Sequence, residues 1–218
     1  MPDKAFFIGN HLALDFLNSI AAPRGEPIES ISDGAAYMAW LTDAQLLHPS
    51  ETEALLDRFG RPALDRVASE ARDLRAWFRQ VITKPAGPHA RGRAAEELDK
   101  LNQILAMDCS YRQLKESDRR LVLRERREFT RVRQLLVPVA LSIAELVIDS
   151  GQSLVKRCAN PNCTLWFYDR TKAHRRLFCS ASVCGNRAKV AAFRERQRQS
   201  NIGANKRLKL QDTRSSTH

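Results

Sequence analysis

Cys158, Cys163, Cys179 and Cys184 form two pairs, each pair enclosing four residues, with a 15-residue connector between them. Two close thiol pairs on a short connector make the ligand set of a structural metal site. Four thiolates close a tetrahedron around Zn²⁺ at roughly 2.3 Å each. Such a site leaves no position for water or substrate, so the expected cofactor is one structural zinc ion. Function is then expected in the residues around the metal rather than at it.

The residues flanking the cysteines are expected to build a small finger. Cys158-Ala159-Asn160-Pro161-Asn162-Cys163 reads as a knuckle, in which a strand delivers the first cysteine and an Asn-Pro turn returns the second. Leu165, Trp166 and Phe167 continue as a strand, and Asp169 to Lys172 form a turn. Ser180 is a candidate cap for a helix over about 181–199, whose first turns hold Cys184. Knuckle and helix together suggest a treble-clef-like finger, too small to fold on its own apolar area, so that zinc supplies most of its folding energy. His174 is read as an exposed histidine, not a ligand.

The helix after Cys184 carries Arg187, Lys189, Arg194, Arg196 and Arg198. Arg187, Arg194 and Arg198 recur near one face, with Lys189 and Arg196 in a neighbouring stripe. Val183, Ala188, Ala191 and Ala192 are expected to pack toward the finger. Charge supports a polyanionic partner. Residues 1–150 hold 21 Lys and Arg against 22 Asp and Glu, whereas residues 151–209 hold 14 against only Asp169 and Glu195. Nucleic acid, in particular duplex DNA, is the partner expected of such a field, although a solvated charged helix has the same composition.

A second constellation lies near the start. His11, Asp15 and Asn18 fall on one face if their segment is helical. A histidine beside a carboxylate could do acid–base work, which makes these three a candidate ligand pocket. The competing reading is that Asp15 and Asn18 make buried hydrogen bonds that fix the helix. There is no hydrolase triad, phosphate-binding glycine loop or catalytic-zinc signature, and the chain is expected not to be an enzyme.

The elements that must position these groups are mostly helices, in an α+β arrangement. Residues 1–150 are expected to form a mainly α-helical domain with a small β-hairpin or sheet, 151–200 the finger and 201–218 a disordered basic tail. Helix is expected over His11–Ser19, after a cap at Ser32-Asp33, and after a capping box at Ser50-Glu51-Thr52-Glu53. Residues 62–83 repeat Leu64, Val67, Ala71, Leu74, Trp77 or Phe78, and Val81 at three- and four-residue steps, the mark of an amphipathic helix. A helix over about 90–107 turns Leu98, Leu101, Ile104 and Leu105 inward. Strands at Tyr111–Leu114 and Leu121–Leu123 make a hairpin turned near Ser117-Asp118. Residues 131–149 return to helix, and Ser150-Gly151-Gln152 mark the boundary. No run of about 18 apolar residues would cross a membrane, and no signal sequence is evident, so a cytoplasmic location is expected. There the unpaired Cys109 is expected to be a buried or neutral thiol.

Cys184-Gly185-Asn186-Arg187 is the name-giving motif of the CGNR zinc fingers. Its surroundings resemble that family too: Arg157-Cys158 to Cys163, Phe167-Tyr168-Asp169-Arg170, Arg175 to Ser180 and Ala188-Lys189-Val190. His11-Leu12-Ala13-Leu14-Asp15-Phe16-Leu17-Asn18-Ser19 resembles the opening of the ABATE domain, which precedes this finger in bacterial proteins described as stress-induced transcription regulators. The resemblance implies zinc on the four cysteines and a regulatory role. Within the motif, Gly185 is expected to permit close packing and Asn186 to bond a knuckle carbonyl or a cysteine sulfur. Arg187 either contacts phosphate or braces the finger.

The leading expectation is thus a zinc-dependent DNA-binding transcription regulator. Arg175, Arg176, Arg187, Lys189, Arg194, Arg196 and Arg198 would meet nucleic acid, and the helical domain would sense a ligand or form a homodimer. The alternatives are a small-ligand-binding or enzymatic N-terminal domain, and a finger that serves only as a structural or protein-interaction module.

Overall fold

The computed structural model describes residues 6–23, 25–83, 90–117, 119–148 and 153–199, with the backbone alone for 90–97. The boundary at 150–152, the loop at 84–89 and the tail 201–218 lie outside the described residues.

Helix α1 (Leu12–Leu17) leads into a two-residue ladder of β1 (Ile20–Ala21) and β2 (Ile28–Glu29). Helices α2 (Gly34–Asp43), α3 (Pro49–Phe59), α4 (Arg61–Thr83) and α5 (Ala90–Leu105) follow. A long hairpin, β3 (Ser110–Ser117) and β4 (Arg120–Arg127), precedes a 3₁₀ turn at Val132–Leu136 and helix α6 (Val137–Ile148). The last sheet pairs β5 (Val155–Arg157) with β6 (Trp166–Tyr168). The C-terminal helix spans residues 186–199.

The helical core assembles as the apolar periodicity dictates. Leu64, Val67, Ala71, Leu74 and Phe78 form the buried stripe of α4, against Tyr37, Trp40 and Leu41 of α2 and Leu14, Phe16 and Leu17 of α1. Each such side chain removed from water contributes roughly 1.5–3 kcal/mol. Leu135, Val139, Ile143 and Leu146 close the core from the other side. The buried Tyr37 hydroxyl donates to the Leu135 carbonyl at 2.9 Å, which fixes α2 against the turn preceding α6. Pro138 breaks nothing, because α6 starts afresh at Val137 and its first turn needs no proline N–H.

Several local expectations shift. The capping box belongs to His48, not Ser50. The His48 ring accepts the Ser50 amide at 3.3 Å, and Glu51 accepts the His48 amide at 2.8 Å. Pro49 occupies the first helical position, where its fixed φ suits the helix. Leu98 is 40 % exposed while Leu101 and Ile104 are buried, so the inward stripe of α5 begins one turn later than its spacing implied. The short strands β1 and β2, which the sequence did not announce, flank the expected loop around Pro23–Pro27. Cys109 is exposed rather than buried.

A second, smaller core holds the four cysteines with Leu165 and Phe167. Ala21, Phe6 and Ile8 join it from the far end of the chain. The finger's apolar interior is therefore completed by N-terminal residues. Among the described residues, no helix is long and apolar enough to cross a membrane.

Candidate metal centre and basic helix

Strand β5 ends one residue before Cys158, and the Cys158 amide donates to the Leu165 carbonyl at 2.9 Å. Asn160 makes the turn. Its side chain accepts the Asn162 amide at 3.1 Å, and its carbonyl accepts the Cys163 amide at 2.9 Å. Ser180 caps the helical entry, its hydroxyl accepting the Val183 amide at 3.3 Å. A single wide turn at Ala181–Gly185 carries Cys184 before the regular helix begins.

All four sulfurs are buried and lie within 4.8 Å of one another. Cys163 and Cys179 are 3.8 Å apart and Cys179 and Cys184 are 3.6 Å apart. A tetrahedron with bonds of roughly 2.3 Å has edges of about 3.8 Å. The donor set therefore fits one zinc ion, held by Cys158, Cys163, Cys179 and Cys184. Burial pushes the Cys163 thiol up to about 11, and thiolate charge on Cys158 and Cys184 pushes the same way. A dication supplies the charge that such a cluster of thiolates needs. With four protein sulfurs the ion is structural.

The connector between the pairs is organised by Asp169, which is 0 % exposed. Burial by itself would raise its pKa. The Lys156 ammonium at 2.7 Å, the Thr171 hydroxyl at 2.6 Å and the Thr171 and Arg176 amides outweigh that and hold the carboxyl well below the usual range. Sequence reasoning placed Asp169 only in a turn. Its isolation as an acid in a long cationic stretch was the signal that it has an internal role.

Arg176 is half-buried and braces the finger. It donates from Nε to the Phe178 carbonyl at 2.9 Å, from Nη2 to the Cys179 carbonyl, and lies 4.2 Å from the Phe167 ring centre. Arg187 is exposed, and its Nη1 donates to the Pro23 carbonyl at 2.9 Å, tying the finger to the loop after β1. Arg175, Lys189, Arg194, Arg196 and Arg198 are exposed. Val183, Ala191 and Ala192 are exposed as well, so the expected packing of this face onto the finger is absent; Ala188 alone is half-buried. Asn186 is exposed and bonds no cysteine sulfur. Gly185 is not required by space, since an added Cβ would meet Ser180 O at 3.6 Å and Phe178 Cδ2 at 3.8 Å, ordinary contact distances. His174 lies outside the sulfur cluster, its ring nitrogen 3.1 Å from the Asp169 carbonyl.

His11, Asp15 and Asn18 do not converge on a pocket. His11 caps α1, accepting the Ala13 amide at 3.3 Å. Asp15 accepts the Gly9 amide at 2.7 Å; desolvation raises its pKa to about 6 against the opposing pull of the Gly9 and Ile8 amides. Asn18 is buried and bonds Trp166 twice, its Oδ1 accepting the Trp166 amide at 2.8 Å and its Nδ2 donating to the Trp166 carbonyl at 2.9 Å. A shallow cleft of about 360 Å³ includes His11 with Ser142, Glu145 and Arg170, but neither Asp15 nor Asn18.

The docking extends along the chain. The Gly9 carbonyl accepts the Tyr168 amide at 2.7 Å, and the Ala22 amide donates to the Thr164 hydroxyl at 2.7 Å. Segment 9–23 thus borders β6 and its approach, so that helical domain and finger meet through hydrogen bonds to the backbone.

These features define a two-module zinc-finger protein, a helical domain clasped to a four-cysteine finger that ends in a basic helix. The chain belongs to the ABATE family, whose model, described as "Putative stress-induced transcription regulator", matches residues 10–150. The CGNR zinc finger model matches residues 155–197. No curated protein matches the chain.

Proposed function

We propose that this protein is a cytoplasmic DNA-binding transcription regulator. Zinc folds the finger, the C-terminal helix contacts duplex DNA, and the helical domain is the effector part that senses a ligand or self-associates. The observation that carries this reading is the helix itself: it leaves the metal centre through Cys184 and holds Lys189, Arg194, Arg196 and Arg198 exposed. Cationic side chains on a rigidly mounted helix neutralise phosphates and release counterions. Arg175 stands exposed beside the same finger and extends the basic surface. No enzymatic role is part of the proposal, because the hydrogen-bonding capacity of Asp15 and Asn18 goes into holding the N-terminal segment and the finger in place.

The test is a salt titration of binding between the zinc-loaded protein and labelled duplex DNA, with single-stranded RNA in parallel and a repeat after chelation. Binding to duplex that weakens with salt and vanishes without zinc supports the proposal. Preference for RNA would replace DNA as the partner. Absence of binding at low salt would overturn the reading and leave the finger as a structural or protein-interaction element.

A further inference from the structure

Strands β3 and β4 pair with each other and, among the described residues, with no third strand. Eight residues on each side are in register, from Ser110 opposite Arg127 to Ser117 opposite Arg120. Side chains alternate across a strand, so the register sorts the ribbon into two unlike faces. One holds Tyr111, Gln113 and Lys115 opposite Arg126, Arg124 and Val122; it is cationic and carries no carboxylate. The other holds Arg112, Leu114 and Glu116 opposite Glu125, Leu123 and Leu121.

The leucines of this second face are 66 % (Leu114), 56 % (Leu123) and 75 % (Leu121) exposed. A two-stranded ribbon alone is marginally stable in water, and contiguous exposed apolar side chains mark an interaction surface. The charge around the leucines identifies the occupant. Arg112 and Arg127 are balanced on that face by Glu116 and Glu125. Such neutrality disfavours a polyanion or an anionic membrane. It suits a surface that must match itself. Along β3, Arg112 and Glu116 stand two residues on either side of Leu114, about 7 Å each way.

We infer that the leucine face of this ribbon is a dimerisation surface and that its partner is a second copy of this chain. Two ribbons pack face to face about a two-fold axis at Leu114, with their strands running in opposite directions. That operation sets Arg112 of each copy against Glu116 of the other and closes six leucines between the ribbons. A two-fold contact of this kind is isologous and self-limiting. The ribbon is about 27 Å long, and its face is smaller than the roughly 800 Å² per partner of a standard stable interface. The dimer is therefore weak and reversible. It leaves the cationic faces pointing outward, and it does not depend on whether the finger binds DNA.

Sedimentation of the full zinc-loaded chain across a wide concentration range tests this. The wild-type chain should pass reversibly from monomer to dimer, and Leu121→Glu should abolish the dimer while circular dichroism reports an unchanged fold. Glu116→Arg and Arg112→Glu should each weaken self-association by roughly tenfold, since each sets like charges together twice. An equimolar mixture of the two variants should recover a dimer, because every Arg112–Glu116 pairing is then replaced by one of opposite charges. A wild-type chain that stays monomeric throughout, a dimer that survives Leu121→Glu, or a mixture that fails to recover would overturn the inference.

Discussion

Asn18 and Trp166 stand 148 residues apart in sequence, yet the Asn18 amide bonds both backbone groups of Trp166, at 2.8 and 2.9 Å. A side-chain amide here does what a neighbouring strand would do for the edge of β6. Replacing Asn18 with alanine leaves a backbone donor and acceptor without partners. We expect Asn18→Ala to lower the stability of the zinc-loaded protein by about 2–3 kcal/mol. Chemical denaturation followed by tryptophan fluorescence checks this, and a change below about 0.5 kcal/mol, roughly half a typical hydrogen bond, would mean the clasp is incidental.

Metal removal should act on one module more than the other. The cysteine core is small, whereas the helical core is built from α1, α2, α4 and α6. Chelation is expected to unfold residues 155–199 and to leave the far-ultraviolet helical signal of the remainder largely intact. Cys163→Ser should mimic it. Amide hydrogen exchange separates the modules, and uniform loss of protection across both would contradict this expectation.

Arg176 and the arginines of the C-terminal helix should behave differently. Removing Arg194 or Arg198 should leave thermal stability unchanged and reduce the salt slope of DNA binding by about 0.9 for each phosphate that is no longer neutralised. Arg176→Ala should lower stability, since its guanidinium spans the Phe178 and Cys179 carbonyls. Its salt slope, measured where the protein is folded, should match the wild type.

Asp15 predicts a pH effect. Its folded pKa is raised to about 6 from 3.8. A carboxyl raised in the folded state contributes stability that is complete below the unfolded value and is lost as pH rises through the folded one. The protein should therefore lose stability between about pH 4 and pH 6 through this group. Asp15→Asn keeps an acceptor for the Gly9 amide and resembles the protonated form. At neutral pH it should be more stable than wild type by about 1–2 kcal/mol after allowance for solvent screening, with the difference vanishing near about pH 4. Paired denaturation curves across this range decide, and an equal difference at both ends would exclude Asp15 as the source.

Two glycines invert their apparent importance. An added Cβ on Gly34 would sit 2.5 Å from the Leu64 carbonyl carbon, where α2 crosses α4. Gly34→Ala is expected to be destabilising by about 3 kcal/mol or more. Gly185→Ala, within the signature motif, meets only ordinary contacts and should shift the melting temperature little. Thermal melts of both variants make the comparison.

The cysteine pairs were legible because ligand spacing is local: two short turns bring each pair together whatever surrounds them. The stripe of α4 was legible for a similar reason, since its apolar residues declare the helical period. His48 was missed as a cap because serine and threonine dominate that position and the Ser50-x-x-Glu53 pattern competed with it. Leu98 misled because the periodicity of a helix does not tell where its packing partner begins.

By itself the sequence determined the metal-ligand set, the helical character of the first module, the hairpin and the basic terminal helix. All are encoded by spacing within a few residues or by local charge. Only the tertiary structure decided which charged and polar groups are turned inward. Arg176, Asp15 and Asn18 read as available chemistry in one dimension, and Asp169 as part of a turn. Folding commits each of them to a backbone group remote from it or to a tight turn, because buried donors and acceptors must be paired and the chain supplies the nearest partners in space rather than in sequence.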